Sequence, residues 1–130
     1  MIWHKNAKRL TAAEVEHLER VRELGCCACS HFGLIYFAPI HIHHIVEHNQ
    51  RLGHMWILPL CPAHHVGSPF TLYQTLLIPR EARVSIASGS RAFARVYGSE
   101  RELWVRVQAK LGLPAEWPES TKILPRRLHA

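Results

Sequence analysis

The sequence predicts an α+β fold of one domain, spanning residues 1–130, with a strand-rich middle between an N-terminal helix and two C-terminal helices. Three observations carry this. "TAAE" at 11–14 and "SERE" at 99–102 are capping boxes, each a hydroxyl residue followed three places on by a glutamate that can reach back to the cap. "LIYFAPIHIHHIV" at 34–46 concentrates β-branched and aromatic residues, the composition of strand. Two Cys/His pairs, Cys26 with Cys29 and Cys61 with His64, bracket that stretch.

The length suits one modest core. No apolar run nears the roughly eighteen residues of a membrane span, and "MIWHKNAKRL" lacks the apolar centre of a secretory signal, so a cytoplasmic protein is expected. The formal net charge is +6, and every acid is a glutamate. Such a balance favours polyanions, meaning nucleic acid or an anionic membrane face. In a reducing compartment the four cysteines are thiols or metal ligands rather than disulfides.

A basic arm, about residues 1–10, precedes the first helix. Leu10 and Val15 occupy the positions of a hydrophobic staple, and Val15, Leu18, Val21 and Leu24 form one apolar stripe that Gly25 ends. Strand follows to about residue 46, with Pro39 marking an edge or break. "EHNQRLGH" is polar and reads as a loop, "MWILPL" as a second strand-like run, and Pro62 suits the first turn of a helix. After an ambiguous stretch at 71–86, "SRAFARVYG" is a short helix. The "SERE" helix then aligns Leu103, Val107 and Leu111 before Gly112 and Pro114 stop it. A basic, weakly ordered tail is expected over about 114–130.

Cys26, Cys29, Cys61 and His64 have the spacing of two zinc knuckles, and zinc takes four tetrahedral sulfur or nitrogen ligands. Cys27 competes with Cys26 for the first position; spacing alone favours Cys26. Three thiolates around a dication leave a charge of about −1, tolerable where amides point at the sulfurs. Such a structural Zn2+ would staple the second knuckle's helix to the strands. His65, one place beyond His64, would then leave that helix about a quarter-turn away and face a second site. In a strand His41 and His43 share one face and His44 takes the other, so joint work by His43 and His44 requires the strand to end or bend between them.

The pattern C-x2-C … HHI … LPLC-x2-HH resembles the HNH, or ββα-metal, endonucleases. The wider run from "RLTAAEVEHLERV" through "GCCAC", "HHIVEHNQRLGH" and "ILPLCPAHH" to "FARVYGSERELWVRV", about residues 9–111, is similar to the phage recombination-enhancement (Ref) family of RecA-dependent DNA nucleases. The resemblance implies a zinc-stapled, HNH-like ββα-metal core. It also implies DNA as substrate, a RecA-type recombinase filament as partner, and a bacterial host cytoplasm as location. It implies that His43 and His65 ligate a catalytic divalent ion (Mg2+, Mn2+, Ni2+ or Zn2+) and that His44 is the general base. A neutral imidazole can accept a proton near pH 7, and a sparsely ligated dication can stabilise a leaving oxygen.

The chain departs from that pattern at Trp56, which stands where an asparagine normally helps orient the base; Asn49, Gln50 and His54 are candidates for the role. The third metal ligand is His41, or else water and phosphate complete the shell. Arg51, in the loop beside the site, is the residue expected to hold nucleic-acid phosphate. The competing reading is a non-catalytic, zinc-containing nucleic-acid-binding module with a degenerate site.

Overall fold

The computed structural model describes residues 9–118. Helix α1 (Ala12–Glu23) starts at its capping box: Thr11 Oγ1 accepts from the Glu14 N–H at 3.1 Å, and the Thr11 N–H donates to Glu14 Oε1 at 2.9 Å. Within its stripe Val21 is fully buried, Leu18 and Leu24 are half-buried, and Val15 stays exposed. Gly25 leaves the helix at φ 82, where an added Cβ would lie 2.7 Å from the Tyr36 carbonyl oxygen, so no other residue fits without movement. That same carbonyl accepts from the Cys26 N–H and starts the first knuckle, which continues as a 3-10 turn over Cys29–Phe32.

Only part of the apolar run forms ladder. Strand β1 (His41–His44) pairs antiparallel with β4 (Ile57–Leu60), His41 opposite Leu60 and His44 opposite Ile57. Residues 34–40 cross from the knuckle to β1 outside any strand. The segment expected as a plain loop is instead a small hairpin, β2 (Val46–Glu47) against β3 (Gln50–Arg51). Its turn needs positive φ at both central residues, and His48 (φ 53) and Asn49 (φ 64) supply it. His48-Asn49 is not one of the glycine-containing pairs that mark a two-residue hairpin turn, so the polar stretch reads as a loop.

The two ladders form one long bent hairpin with unequal arms. A single residue, Ile45, separates them on the first arm, whereas residues 52–56 separate them on the second. The Ile45 N–H donates to the Trp56 carbonyl and the Leu52 N–H to the Ile45 carbonyl, so the longer arm bulges outward as a closed excursion carrying His54.

Every residue of β4 is buried, and the strand packs between α1 and the last helix, α5 (Glu100–Leu111). Ile57, Leu58 and Leu60 meet Val21, Phe93, Leu103, Trp104 and Val107 in one core. Burying each such side chain stabilises the fold by roughly 1.5–3 kcal/mol. Pro59 is tolerated because the sheet is two-stranded, and its carbonyl accepts from the Cys27 N–H at 2.9 Å, tying the knuckle to the strand.

The remaining helices are α2 (Pro62–Val66), α3 (Leu72–Leu77) and α4 (Ser90–Tyr97). Helix α3 arose from the ambiguous stretch: Thr71 and Gln74 form a third capping box, although Leu72, Tyr73 and Leu76 stay exposed, so no buried apolar stripe advertised it. Helix α5 opens at the Ser99–Glu102 box and closes at Gly112, as the sequence indicates. Of the tail expected from residue 114, residues 114–118 lie against the body: Gln108 Nε2 donates to the Pro114 carbonyl, Trp56 Nε1 to the Glu116 carbonyl, and Trp117 is buried. The rest of the tail and arm residues 1–8 lie outside the described residues. No helix among the described residues is long and apolar enough to cross a membrane.

Candidate metal centre and imidazole cluster

Two chain segments far apart in sequence meet beneath α2. The first knuckle brings Cys26 and Cys29; β4 leads directly into Cys61, the cap of α2, and one turn into that helix comes His64. All four are buried, and their donor atoms lie within 4.8 Å of one another. His64 Nδ1 sits 3.7, 3.6 and 3.4 Å from the sulfurs of Cys26, Cys29 and Cys61, and the Cys29 and Cys61 sulfurs are 3.9 Å apart. A tetrahedron with zinc–sulfur bonds of about 2.3 Å and a zinc–nitrogen bond of about 2.0 Å has edges of about 3.8 and 3.5 Å. The group therefore fits a Zn2+ ion in both donor chemistry and spacing. Cys27 is only half-buried and stands outside it.

Hydrogen-bond donors converge on the sulfurs. The Cys29 N–H points at Cys26 Sγ and the His64 N–H at Cys61 Sγ, each at 3.4 Å. Gln74 Nε2, from α3, lies 3.3 Å from both Cys29 and Cys61 sulfurs. Such donors offset the excess negative charge of three thiolates. Without a dication the sulfurs compete: hydrogen bonds from the Cys26 and Cys29 thiols hold Cys61 far below the ordinary thiol range, and burial pushes Cys26 up to about 12.

The His64 tautomer follows from its neighbours. The Tyr97 hydroxyl donates to the Ala82 carbonyl at 2.6 Å, since a carbonyl only accepts. At 2.7 Å from the same oxygen, His64 Nε2 must therefore carry the hydrogen and donate to it. Nδ1 is left with its lone pair facing the sulfurs, as a metal ligand requires.

On the far side of α2 a second group forms. His65 Nδ1 lies 2.9 Å from His41 Nδ1, and the ring centres of His65 and His43 are 5.4 Å apart. Burial, then the neighbouring His43 and His41, hold His65 below the usual histidine range, so its lone pair is available near neutral pH. His43 Nε2 pairs with Glu100 Oε1 at 2.8 Å, which adds a carboxylate from the first turn of α5. His41, His43 and His65 thus come together as a cluster. Three imidazoles and a carboxylate suit a divalent transition ion chemically. Among the described residues, however, only the Cys26–Cys29–Cys61–His64 group has three or more donors mutually within 4.8 Å.

His44 leaves β1 on the opposite face, because the ladder stays regular to its pairing with Ile57. Among the described residues, neither hydrogen bond nor ring contact joins it to His43 or His65. Its partner is His54 in the excursion, Nε2 to Nδ1 at 3.0 Å, with the rings edge to face. Burial, and after it the Arg51 guanidinium, lowers His44 to about 4. Arg51 itself is exposed on β3, and Asn49 and Gln50 are exposed at the hairpin turn.

Four residues of these sites are absent from the sequence reading or unranked in it: Gln74, Tyr97, Glu100 and His54. Each acts through a contact that no local spacing encodes. His54 alone was flagged, by the Trp56 departure. A family model described as recombination enhancement, RecA-dependent nuclease matches residues 10–111. No curated protein matches the chain.

Proposed function

Because the chain belongs to this family of RecA-dependent nucleases, we propose that it is an HNH-type endonuclease. It hydrolyses DNA phosphodiesters presented by a RecA-type recombinase filament in the bacterial cytoplasm. The observation that carries the reading is the adjacency of His64 and His65: one imidazole joins the thiol group while the next meets His41 and His43. His43 and His65 would hold the second divalent cation, with His41 and Glu100 as supplementary donors. When bound, such a cation neutralises charge on the phosphate and on the departing 3′-oxygen.

His44 is the general base. Its imidazole removes a proton from water, the water oxygen forms a bond to phosphorus, and the phosphorus–O3′ bond breaks, leaving a 5′-phosphate and a 3′-hydroxyl. The leaving oxygen takes its proton from solvent. An in-line displacement places nucleophile and leaving group on opposite sides of phosphorus. Because β1 neither ends nor bends between His43 and His44, base and cation serve one phosphate only if it spans the strand, with the attacking water on one side and the leaving oxygen on the other. Exposed Arg51, close enough for its charge to act on His44, would grip a neighbouring phosphate without reading sequence.

The wide spacing of the second donor set favours the rival reading, a zinc module that binds nucleic acid without cutting it. Incubation of zinc-loaded protein with recombinase-coated DNA and Mg2+ or Mn2+, beside His44→Ala and His65→Ala, decides between them. Scission by the parent alone supports the nuclease. Salt-sensitive binding with no scission under either metal selects the module.

A further inference from the structure

We infer that His54 is the positioning residue for His44: it fixes the tautomer and orientation of the base, the task that Trp56 cannot perform. The inference rests on the nuclease reading above, but its physical content is a hydrogen bond that can be observed without turnover.

The argument starts from the unequal hairpin. Residues 52–56 form an excursion with no strand pairing of its own, yet it is anchored at three points. The Trp56 N–H closes back on the Gly53 carbonyl at 3.2 Å, the Trp56 carbonyl accepts from Ile45, and Trp104 Nε1 on α5 donates to the Met55 carbonyl at 3.0 Å. The Trp56 and Trp104 rings stack, with 6.3 Å between centres, so the indole at 56 braces the excursion against α5. His54 is therefore a partly buried side chain on a fixed support, not a loop residue free to swing.

The contact it makes is specific by atom. His44 Nε2 and His54 Nδ1 are 3.0 Å apart, and between two neutral imidazoles one nitrogen must donate and the other accept. If His44 donates, its Nε2 holds the hydrogen and its Nδ1 keeps a lone pair, the arrangement a base needs toward water. After His44 takes the proton, its bond to a neutral His54 becomes charge-assisted. The other candidates make no such contact: Asn49 and Gln50 are exposed at the turn, and Trp56 Nε1 is spent on the Glu116 carbonyl. A residue two places from the expected position thus supplies an acceptor where an amide oxygen would otherwise stand.

The test uses the full chain loaded with zinc, as parent, His54→Ala, His54→Asn and His44→Ala. Cleavage of recombinase-coated DNA gives kcat and KM, and long-range proton–nitrogen NMR gives the His44 tautomer. A positioned base contributes about 10²–10⁴ in rate. His54→Ala should lose part of that, roughly 10- to 100-fold in kcat, with KM within about twofold of the parent. His54→Asn, whose Oδ1 replaces the Nδ1 acceptor, should recover most of it. The His44 Nε2–H signature should be present in the parent and in His54→Asn and weaken in His54→Ala. Parental kcat in His54→Ala while His44→Ala is inactive would overturn the inference and leave the nuclease reading intact, as would failure of His54→Asn to outperform His54→Ala. If the parent cuts nothing, the nuclease reading falls instead. The tautomer measurement then decides alone, and an unchanged His44 signature in His54→Ala rejects the role for His54.

Discussion

Replacing Tyr97 by phenylalanine removes one oxygen atom and probes how the thiol group is supported. In the parent that oxygen accepts from His64 Nε2–H at 2.7 Å and donates to the Ala82 carbonyl at 2.6 Å, with all three residues buried. The substitution leaves one donor and one acceptor without partners inside the core. An unsatisfied buried group costs about 1–3 kcal/mol. The Ala82 carbonyl falls toward the lower end, because the change removes a partner rather than inserting a charge. The expected loss is therefore about 2–4 kcal/mol in total. The His64 share acts on the metal, since the ring is freed to turn or to move its hydrogen to Nδ1. Loss of a ligand's hydrogen-bonded support costs about 10–100-fold in metal affinity. Competition against a chromophoric chelator measures the affinity, and thermal unfolding of the loaded protein measures the stability. Tyr97→Phe with parental zinc affinity and an unmoved midpoint would refute the account of the tautomer.

Two further outcomes follow from the imidazole groups. Glu100→Gln keeps the size of the side chain but removes the only carboxylate among the described residues that pairs with the cluster, at 2.8 Å from His43. Titration calorimetry with Mn2+ on zinc-loaded protein should show weaker binding at the second site with zinc content unchanged, and equal affinity would remove Glu100 from that site. For His44, the folded value of about 4 lies below the ordinary value near 6.5, so the unfolded chain binds more protons between those limits. Its contribution to stability is present above pH 6.5 and is lost as pH falls through that window toward 4. His65 and buried His17 push in the same direction. Denaturant melts at pH 5 and 7 should show a shallower pH dependence in His44→Gln than in the parent. A His44 NMR titration centred near 6.5 would refute the lowered value.

What the sequence revealed and what it concealed divide along one line. Capping boxes at Thr11 and Ser99, the helix-opening Pro62 and the paired cysteines are local patterns, and a local pattern needs only a few neighbouring residues to declare itself. Both knuckles were therefore legible even though 32 residues separate Cys29 from Cys61. Tyr97 lies 33 residues from His64, and Glu100 lies 57 from His43; neither carries a mark of its role, because a tyrosine and a first-turn glutamate have ordinary helical uses. Helix α3 escaped for a different reason. Its inward residue is polar Gln74, turned to the sulfurs, while its leucines face out, which inverts the amphipathic pattern by which a packed helix is found.

Helix α2 has five residues, too few to persist in water by backbone hydrogen bonding alone. Its shape must come from what it is bolted to, so an ion held by the thiol group would also hold the seat of His65, and a strong chelator is expected to release both. Zinc per chain is therefore the quantity to measure beside any cleavage assay of this protein.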